Sequence, residues 1–380
     1  MATKLVGKTM AHNHLPLIGI LGDGQLSMMM AQAYQEIGGK VFVFGVSQDS
    51  PAGQVADRFF VGDSSNADDL LNFFNEVDVV TLENEFLDSQ LLTNVSTKAK
   101  SDLLPDPARY GLIEDKLSEN HFFQSLGADV GDFFEVKSEN DLIEVPGYLK
   151  LAKGGYDGVG TFRVDTKEQA VELFEQIKSS GVVIFERAVD FKKELSVIAV
   201  AGKNELIFYP VVETHQEQGT CRYVSYPAGI SEAVEDQAKQ DVTRIMQELG
   251  TRGLFAFEYF LTHDDRLILN ESAPRPHNSG HITLDMANCS QFENHMRAVA
   301  GLELIQPELV KESGLMLNLL GTQDGPFDSD KVTSAVGDKD LSLMLYGKKQ
   351  SRIKRKMGHI NFWGDDQWSR AQKMIDELTI

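Results

Sequence analysis

Phe255 to His281 reads FAFEYFLTHDDRLILNESAPRPHNSGH. Two apolar runs flank Thr262-His263-Asp264-Asp265, the pattern of a β-hairpin. A turn centred on Asp264-Asp265 sets Glu258 on the first strand opposite Glu271 on the second. Residues opposed in this way have Cβ atoms about 5 Å apart, and like charges there repel. Flanked by Phe257, Tyr259, Leu269 and Ala273, the two carboxylates need a cation between them. With Asn270 beside them they form a hard oxygen set suited to Mg²⁺ carrying phosphates. The plain alternative is a pair of solvated acids on an outer sheet face.

Upstream of the hairpin, Val182 to Phe185 is a buried-type strand that ends in Glu186-Arg187-Ala188-Val189. Backbone groups at such an exit can hydrogen-bond a flat base edge. Glu194 stands just before another apolar strand, Leu195 to Val200. Tyr148 to Leu151 and Thr161 to Val164 read as strands around AKGGYDGVG, Ala152 to Gly160. Its four glycines make a flexible hairpin loop whose backbone can close over a polyphosphate, with Lys150 and Lys153 supplying charge. Pro105 to Lys116 reads as a linker and Leu117 to Leu126 as a helix stopped by Gly127.

The chain opens with a βαβ pattern. Leu17 to Leu21 is a strand, Gly22-Asp23-Gly24-Gln25-Leu26-Ser27 a turn, Met28 to Ile37 a helix and Lys40 to Phe44 a second strand. Free backbone N–H groups at that helix start suit an anion on a Rossmann-like domain. The spacing G-x-G-x-x-S lacks the third glycine of the dinucleotide fingerprint, and Phe44-Gly45 carries no acid to hold a ribose. Without GK[ST] there is no P-loop. A third strand, Val77 to Leu82, runs into Glu83-Asn84-Glu85, at the sheet end where ligands bind. Met28-Met29-Met30 reads as helix packing.

The 380 residues exceed one core and imply two or three domains. With 57 acidic against 36 basic residues, the net charge is −21. That balance argues against a nucleic-acid binder and requires local cations to hold any anionic substrate. Cys221 and Cys289 form no CxxC pair or disulfide framework, which fits a reducing cytoplasm. No signal peptide and no run of about 18 apolar residues is present, so no membrane role is expected. His277 and His281 are four apart, but Pro274, Pro276 and Gly280 break any helix through them, so this is not a zinc HExxH pair.

Glycine-loop lid, strand-exit glutamate, later strand glutamate and a final E…NE pair occur here in the order found in the ATP-grasp ligases, which the chain resembles. The segments IGILGDGQL, DSPAGQVAD, TLENE, KGGYDGVG, FERAVDFKKELSVI, NESAPRPHNSGH, SQFENHMRAVAGL, LYGKK and RKMGH extend the resemblance to those members that carboxylate 5-aminoimidazole ribonucleotide with ATP and bicarbonate. The resemblance implies an α/β (mixed α+β) chain in three parts. These are a Rossmann-like N-terminal domain over 1–104, a central ATP-grasp domain over 105–310 with its lid at about 128–205, and a small β-rich C-terminal domain over 311–380.

Residue by residue, the resemblance implies that Lys116 and Lys150 meet ATP phosphate, under a lid of Gly155, Tyr156, Asp157, Gly158 and Gly160. Glu186, Arg187, Ala188 and Val189 would hold adenine, with Glu194 and Gln216 at the ribose. Glu258, Asn270 and Glu271 would hold Mg²⁺, with Mn²⁺ an acceptable substitute. Arg275, His277 and Asn278 would lie where carboxyphosphate meets the amine, and Asp157 would orient or deprotonate that amine. Gly24, Gln25, Leu26, Glu83, Tyr156 and Arg275 would contact the ribotide, and Lys348 and Arg355 its phosphate. The latter two belong to a run with Lys349, Arg352, Lys354 and Lys356 that is otherwise a solvated basic patch. A homodimer is implied, as is a separate mutase acting on the product, since the sequence ending at Ile380 leaves no room for one.

The chain departs from the family's usual residues at Asp23, Ser27, Met28, Lys116, Asn120, Ala152, Val159, Thr161 and Gln216. Several of these remove a cation, which weakens anion binding. Two rival readings follow: an ATP-grasp carboxylate–amine ligase with another acceptor, and a non-catalytic nucleotide binder.

Overall fold

The computed structural model describes residues 15–142, 145–154, 160–217, 219–336 and 339–378. The lid residues Gly155, Tyr156, Asp157, Gly158 and Val159 lie outside this set.

Five parallel strands build the N-terminal part: β1 (Ile18–Leu21), β2 (Val41–Gly45), β3 (Arg58–Val61), β4 (Val79–Leu82) and β5 (Asp102–Leu103). Their order is β3-β2-β1-β4-β5, and β1 and β4 are buried along their whole length. Unbroken apolar runs such as IGIL are what a sheet covered on both faces requires. The order reverses at β1, so the turn after β1 and the loop after β4 meet at the topological switch point. The helix Gln25–Glu36 begins three residues earlier than the apolar periodicity suggests, because the glycine turn ends at Gly24.

The lid subdomain is a separate antiparallel sheet, in order β6-β9-β7-β8, made of β6 (Phe133–Val136), β7 (Gly147–Leu151), β8 (Thr161–Val164) and β9 (Val183–Arg187). Leu149, Val164, Phe174 and Phe185 form its core beneath the helix Lys167–Ile177.

The central sheet has nine strands. Its first members are β10 (Phe191–Ala201), β11 (Leu206–Phe208), β12 (Val212–Glu217), β13 (Thr220–Tyr226), β14 (Gly253–Thr262) and β15 (Leu267–Ala273). The C-terminal strands β16 (Gly314–Leu320), β18 (Leu341–Leu345) and β20 (Lys356–Trp363) continue that same sheet through the β13–β16 pair. Two short strands, β17 (Gly325–Pro326) and β19 (Gln350–Ser351), pair at its side. The C-terminal region therefore has its own small core, around Leu315, Leu317, Ile360 and Phe362, while its three longer strands belong to the central sheet.

The helix Gln291–Ala300 joins the parts. Its Phe292, Met296 and Val299 pack with Met28, Met29 and Met30 of the first helix. Its His295 is buried, receives a bond from Leu254 N–H at Nδ1 (3.1 Å) and lies 2.9 Å from Thr81 Oγ1 through Nε2. A neutral ring that accepts at Nδ1 carries its proton on Nε2, so Nε2 donates to Thr81. Burial pushes the His295 imidazole down to about 3. A histidine whose folded value lies below the unfolded one contributes stability above about pH 6.5 and loses it as pH falls. Between pH 6.5 and 5 the native protein should therefore lose about 2 kcal/mol more stability than a non-titrating His295→Gln variant. Denaturant melts of both proteins at the two pH values measure this difference.

Candidate active site

The three parts enclose a cavity of about 670 Å³. The N-terminal switch point contributes Gln25, Leu26, Glu83 and Glu85. The helix Lys116–Ser125 contributes Lys116, Glu119 and Asn120, and the lid sheet contributes Lys150, Glu186, Arg187 and Val189. Glu194, Gln216, Glu258, Asn270 and Glu271 come from the central sheet, Arg275, His277 and Asn278 from the segment after β15, and Lys356 from β20.

Glu258 pairs directly with Glu271, though by a different route from a turn centred on Asp264-Asp265. The loop is closed by Thr262 N–H donating to Arg266 O (3.0 Å), with Asp265 in the left-handed region (φ 63°). This three-residue loop pairs Leu261 with Leu267, Phe260 with Ile268 and Tyr259 with Leu269, a register that alone would put Glu258 opposite Asn270. A bulge between Tyr259 and Glu258 absorbs one residue and brings Glu271 opposite Glu258. Bulges re-aim side chains beside active sites, and both Asn270 and Glu271 line the cavity.

Glu271 is in contact with a lysine. Lys116 Nζ lies 2.5 Å from Glu271 Oε2, and this ammonium holds the Glu271 carboxyl well below the usual range. Burial works against the Lys116 charge, but Glu271 and Glu119 outweigh it and keep the amine protonated. Glu258 has His277 Nε2 at 3.6 Å; burial first, then Glu271 and Glu194, push its carboxyl up. Burial also raises Glu194 and Glu119, each to about 7. The cavity thus holds more acid than its cations neutralise.

The remaining charges are paired internally. Lys150 Nζ is 2.5 Å from Glu186 Oε2, and Asn120 Nδ2 donates to the other oxygen at 3.3 Å. Lys153 lies 3.4 Å from Glu114, outside the cavity lining. Arg187 N–H donates to Asp132 O (3.0 Å) and Ala188 N–H to Pro146 O (3.1 Å), so two backbone donors of the strand exit serve the lid's own structure. Gln216 hydrogen-bonds Glu194.

At the switch point the anion-binding turn is filled from within. Gly24 N–H donates to Glu83 Oε1 (2.9 Å) and Ser27 N–H to Glu83 Oε2 (3.0 Å). Asp23 does the same for a neighbouring loop, its Oδ2 accepting from Val46 and Ser47 N–H at 2.9 and 3.1 Å. The Glu83 carboxylate holds the N–H groups that the glycine spacing suggested for a ligand.

His277 is set by a chain of hydroxyls. Its Nδ1 lies 2.8 Å from Ser279 Oγ, which lies 2.7 Å from Ser196 Oγ. Gln291 clamps its backbone on both sides, accepting from His277 N–H (3.0 Å) and donating to His277 O (2.6 Å). Asn278 and Asn318 exchange two amide bonds, 3.0 and 2.6 Å, across the β13–β16 region. His281 is buried against Gln291 and His359 and is held neutral by burial.

Gly160 of the lid, together with Gly24, Ala188, Lys348 and Arg355, is not among the residues lining the cavity. Lys348 Nζ donates to Lys356 O (2.7 Å) and Arg355 to Gln350 O (2.8 Å); Lys356 is the member of that basic run that reaches the cavity. Glu119, Ser279 and Gln291 were not singled out by sequence, and Glu85 only as a neighbour of Glu83 at the sheet end. For Glu119 a signal existed, since three residues after Lys116 on a helix is the same face.

Comparison with known proteins places this geometry. Residues 121–292 match the ATP-grasp domain family, residues 15–113 the ribonucleotide synthetase preATP-grasp domain, and residues 314–373 the phosphoribosylaminoimidazole carboxylase C-terminal domain. The chain is an ATP-grasp ligase. It is 37% identical to the N5-carboxyaminoimidazole ribonucleotide synthase of Bacillus subtilis, over 96% of this chain and 94% of that one. A carboxyaminoimidazole ribonucleotide synthase from Aspergillus clavatus complexed with ATP superposes with a TM-score of 0.88, at 29% identity, covering 96% of this chain and 98% of that one. The Aspergillus clavatus N5-carboxyaminoimidazole synthase in complex with ADP and 5-aminoimidazole ribonucleotide gives 0.87 at 28% identity, over 95% and 98%. The chain belongs to the N5-carboxyaminoimidazole ribonucleotide synthase family.

Glu119 accepts from Ser272 N–H (2.9 Å) and Ser272 Oγ (2.7 Å), tying the helix of Lys116 to the bulged strand of Glu271. Glu119→Ala removes the acceptor of that half-buried N–H, at a cost of about 1–3 kcal/mol. Thermal unfolding and nucleotide titration should show a lower melting temperature and weaker binding, and Glu119→Gln, which keeps an acceptor oxygen, should recover most of both.

Proposed function

We infer from the arrangement of charges how this chain carries out the reaction of its family. The reaction is the ATP-dependent carboxylation of 5-aminoimidazole ribonucleotide to N5-carboxyaminoimidazole ribonucleotide in purine biosynthesis. The observation that carries the mechanism is the half-buried, opposed pair Glu258 and Glu271, with Lys116 on Glu271 and His277 beside Glu258, next to Arg275.

Glu258, Glu271 and Asn270 suit a Mg²⁺ ion, with Mn²⁺ as an alternative, because that ion takes one or two protein carboxylates and completes its shell with phosphates. Bound there, it would draw off charge from the β- and γ-phosphates of ATP. The protein's own cations act by exchange. Lys116, paired with Glu271, and Lys150, paired with Glu186, would each turn to phosphate once its carboxylate took up a ligand. Glu186 to Val189 hold adenine, and Glu194 with Gln216 holds the ribose. The lid carrying Gly155, Tyr156, Asp157, Gly158 and Gly160 covers the phosphates.

Bicarbonate sits on Arg275, with His277 and Asn278 completing its site. Its oxygen attacks the γ-phosphorus, the bond to the β-phosphate oxygen breaks, and ADP leaves. The amine of the ribotide then attacks the carboxyl carbon of carboxyphosphate, phosphate leaves, and Asp157 takes the amine proton. The closed cavity keeps water from the intermediate. The ribotide lies at Gln25, Leu26, Glu83 and Tyr156, near the turn at Gly24, with Lys348 and Arg355 toward its phosphate. The family resemblance further supports a cytoplasmic homodimer whose product passes to a separate mutase.

ADP release should require bicarbonate and the ribotide together; an ADP assay under saturating conditions with no ribotide dependence would overturn the reading. Glu271→Gln should lower turnover by about a hundredfold or more while circular dichroism stays native. Unchanged turnover would refute the metal assignment.

A further inference from the structure

Arg275 is held across the domain boundary by a residue with no role in the scheme above. Glu85, on the loop after β4, forms a two-pronged pair with it. Arg275 Nε donates to one oxygen of Glu85 and Nη2 to the other at 2.7 Å, while Nη1 donates to Pro276 O at 3.1 Å. Both side chains are largely shielded from solvent and both line the cavity. The loop that carries Glu85 is anchored at both ends. Glu83 is fixed on Gly24 and Ser27 N–H, and Asp88 caps the next helix through Leu91 N–H (2.9 Å).

We propose that the Glu85 carboxylate is a built-in stand-in for bicarbonate, which keeps Arg275 occupied until the ribotide draws the Glu85 side chain away. A guanidinium edge grips two coplanar oxygens spaced as in a carboxylate. Bicarbonate presents the same two oxygens in the same plane, so it and Glu85 compete for one fork. Glu85 lies two residues beyond Glu83, at the switch point where the ribotide is placed, so a ligand seated there acts directly on this loop. While Glu85 holds the fork, bicarbonate is poorly placed beside the nucleotide, and ATP is not spent on carboxyphosphate with no amine to receive it. Glu85 is thus a positioning residue that couples bicarbonate binding to the ribotide. The proposal rests on the assignment of Arg275 to bicarbonate.

The test is steady-state ADP release with bicarbonate varied, with and without ribotide, for the native protein, Glu85→Gln, Glu85→Asp and Arg275→Lys. Glu85→Gln keeps the shape and removes the charge. It should lower the KM for bicarbonate roughly tenfold, the scale of one lost charge-assisted contact, and raise ADP release without ribotide. Glu85→Asp keeps the charge on a shorter arm and should shift both in the same direction by less, which keeps the proposal testable if the glutamine variant folds poorly. If Arg275→Lys leaves the bicarbonate KM unchanged, the assignment of Arg275 itself fails. If Arg275→Lys raises that KM but neither Glu85 variant alters it or the ribotide-independent rate, the gate alone is overturned. A higher bicarbonate KM in the Glu85 variants would also overturn it, by showing a residue that supports the bicarbonate site instead of occupying it.

Discussion

Two carboxylates that repel each other sit face to face on one hairpin, and the rest of the site is an answer to that repulsion. Glu258 and Glu271 are fixed by backbone pairing and cannot drift apart as surface acids would. Lys116 neutralises one of them, His277 stands by the other, and Glu119 and Glu194 nearby are held partly protonated near neutrality. Buried charges of one sign raise one another's affinity for protons and cations. A cavity built this way is poised for a dication and the phosphates that travel with it.

The same logic shows how a chain of net charge −21 handles anionic substrates. Lys150 is stored on Glu186, Lys116 on Glu271 and Arg275 on Glu85. Stored pairs avoid the penalty of an uncompensated buried charge. In the proposed exchange, each pair opens where a ligand offers its carboxylate or its cation a better partner. The departures at Asn120 and Ala152 interrupt none of the stored pairs, and Asn120 itself donates to Glu186.

Much of this was legible in one dimension. Runs such as IGIL and the alternation around Glu258 carry the periodicity of buried strands, and the opposed acids follow from the hairpin. The reason for their opposition was not legible: a three-residue loop and a bulge at Asn270 replace the simple turn, because bulges depend on what the neighbouring strand and cavity demand. The glycine turn after β1 announced free N–H groups, yet Glu83, 59 residues on from Gly24, fills them. Pairs such as Lys150 with Glu186 and Arg275 with Glu85 join residues 36 and 190 apart, beyond any local pattern. Short-range chemistry was readable; the partners that neutralise it were supplied by the fold.

The continuous central sheet carries a further consequence. Because β16 pairs with β13, the strands after residue 313 cover what would be an open row of backbone donors and acceptors along Tyr223–Tyr226. An uncovered edge of that length is a template for pairing with another chain. The C-terminal strands also supply Asn318, the amide that locks Asn278 in the active site. A chain cut before β16 would lose its guard against self-association and a wall of its catalytic chamber together, so solubility and chemistry are inherited as one piece.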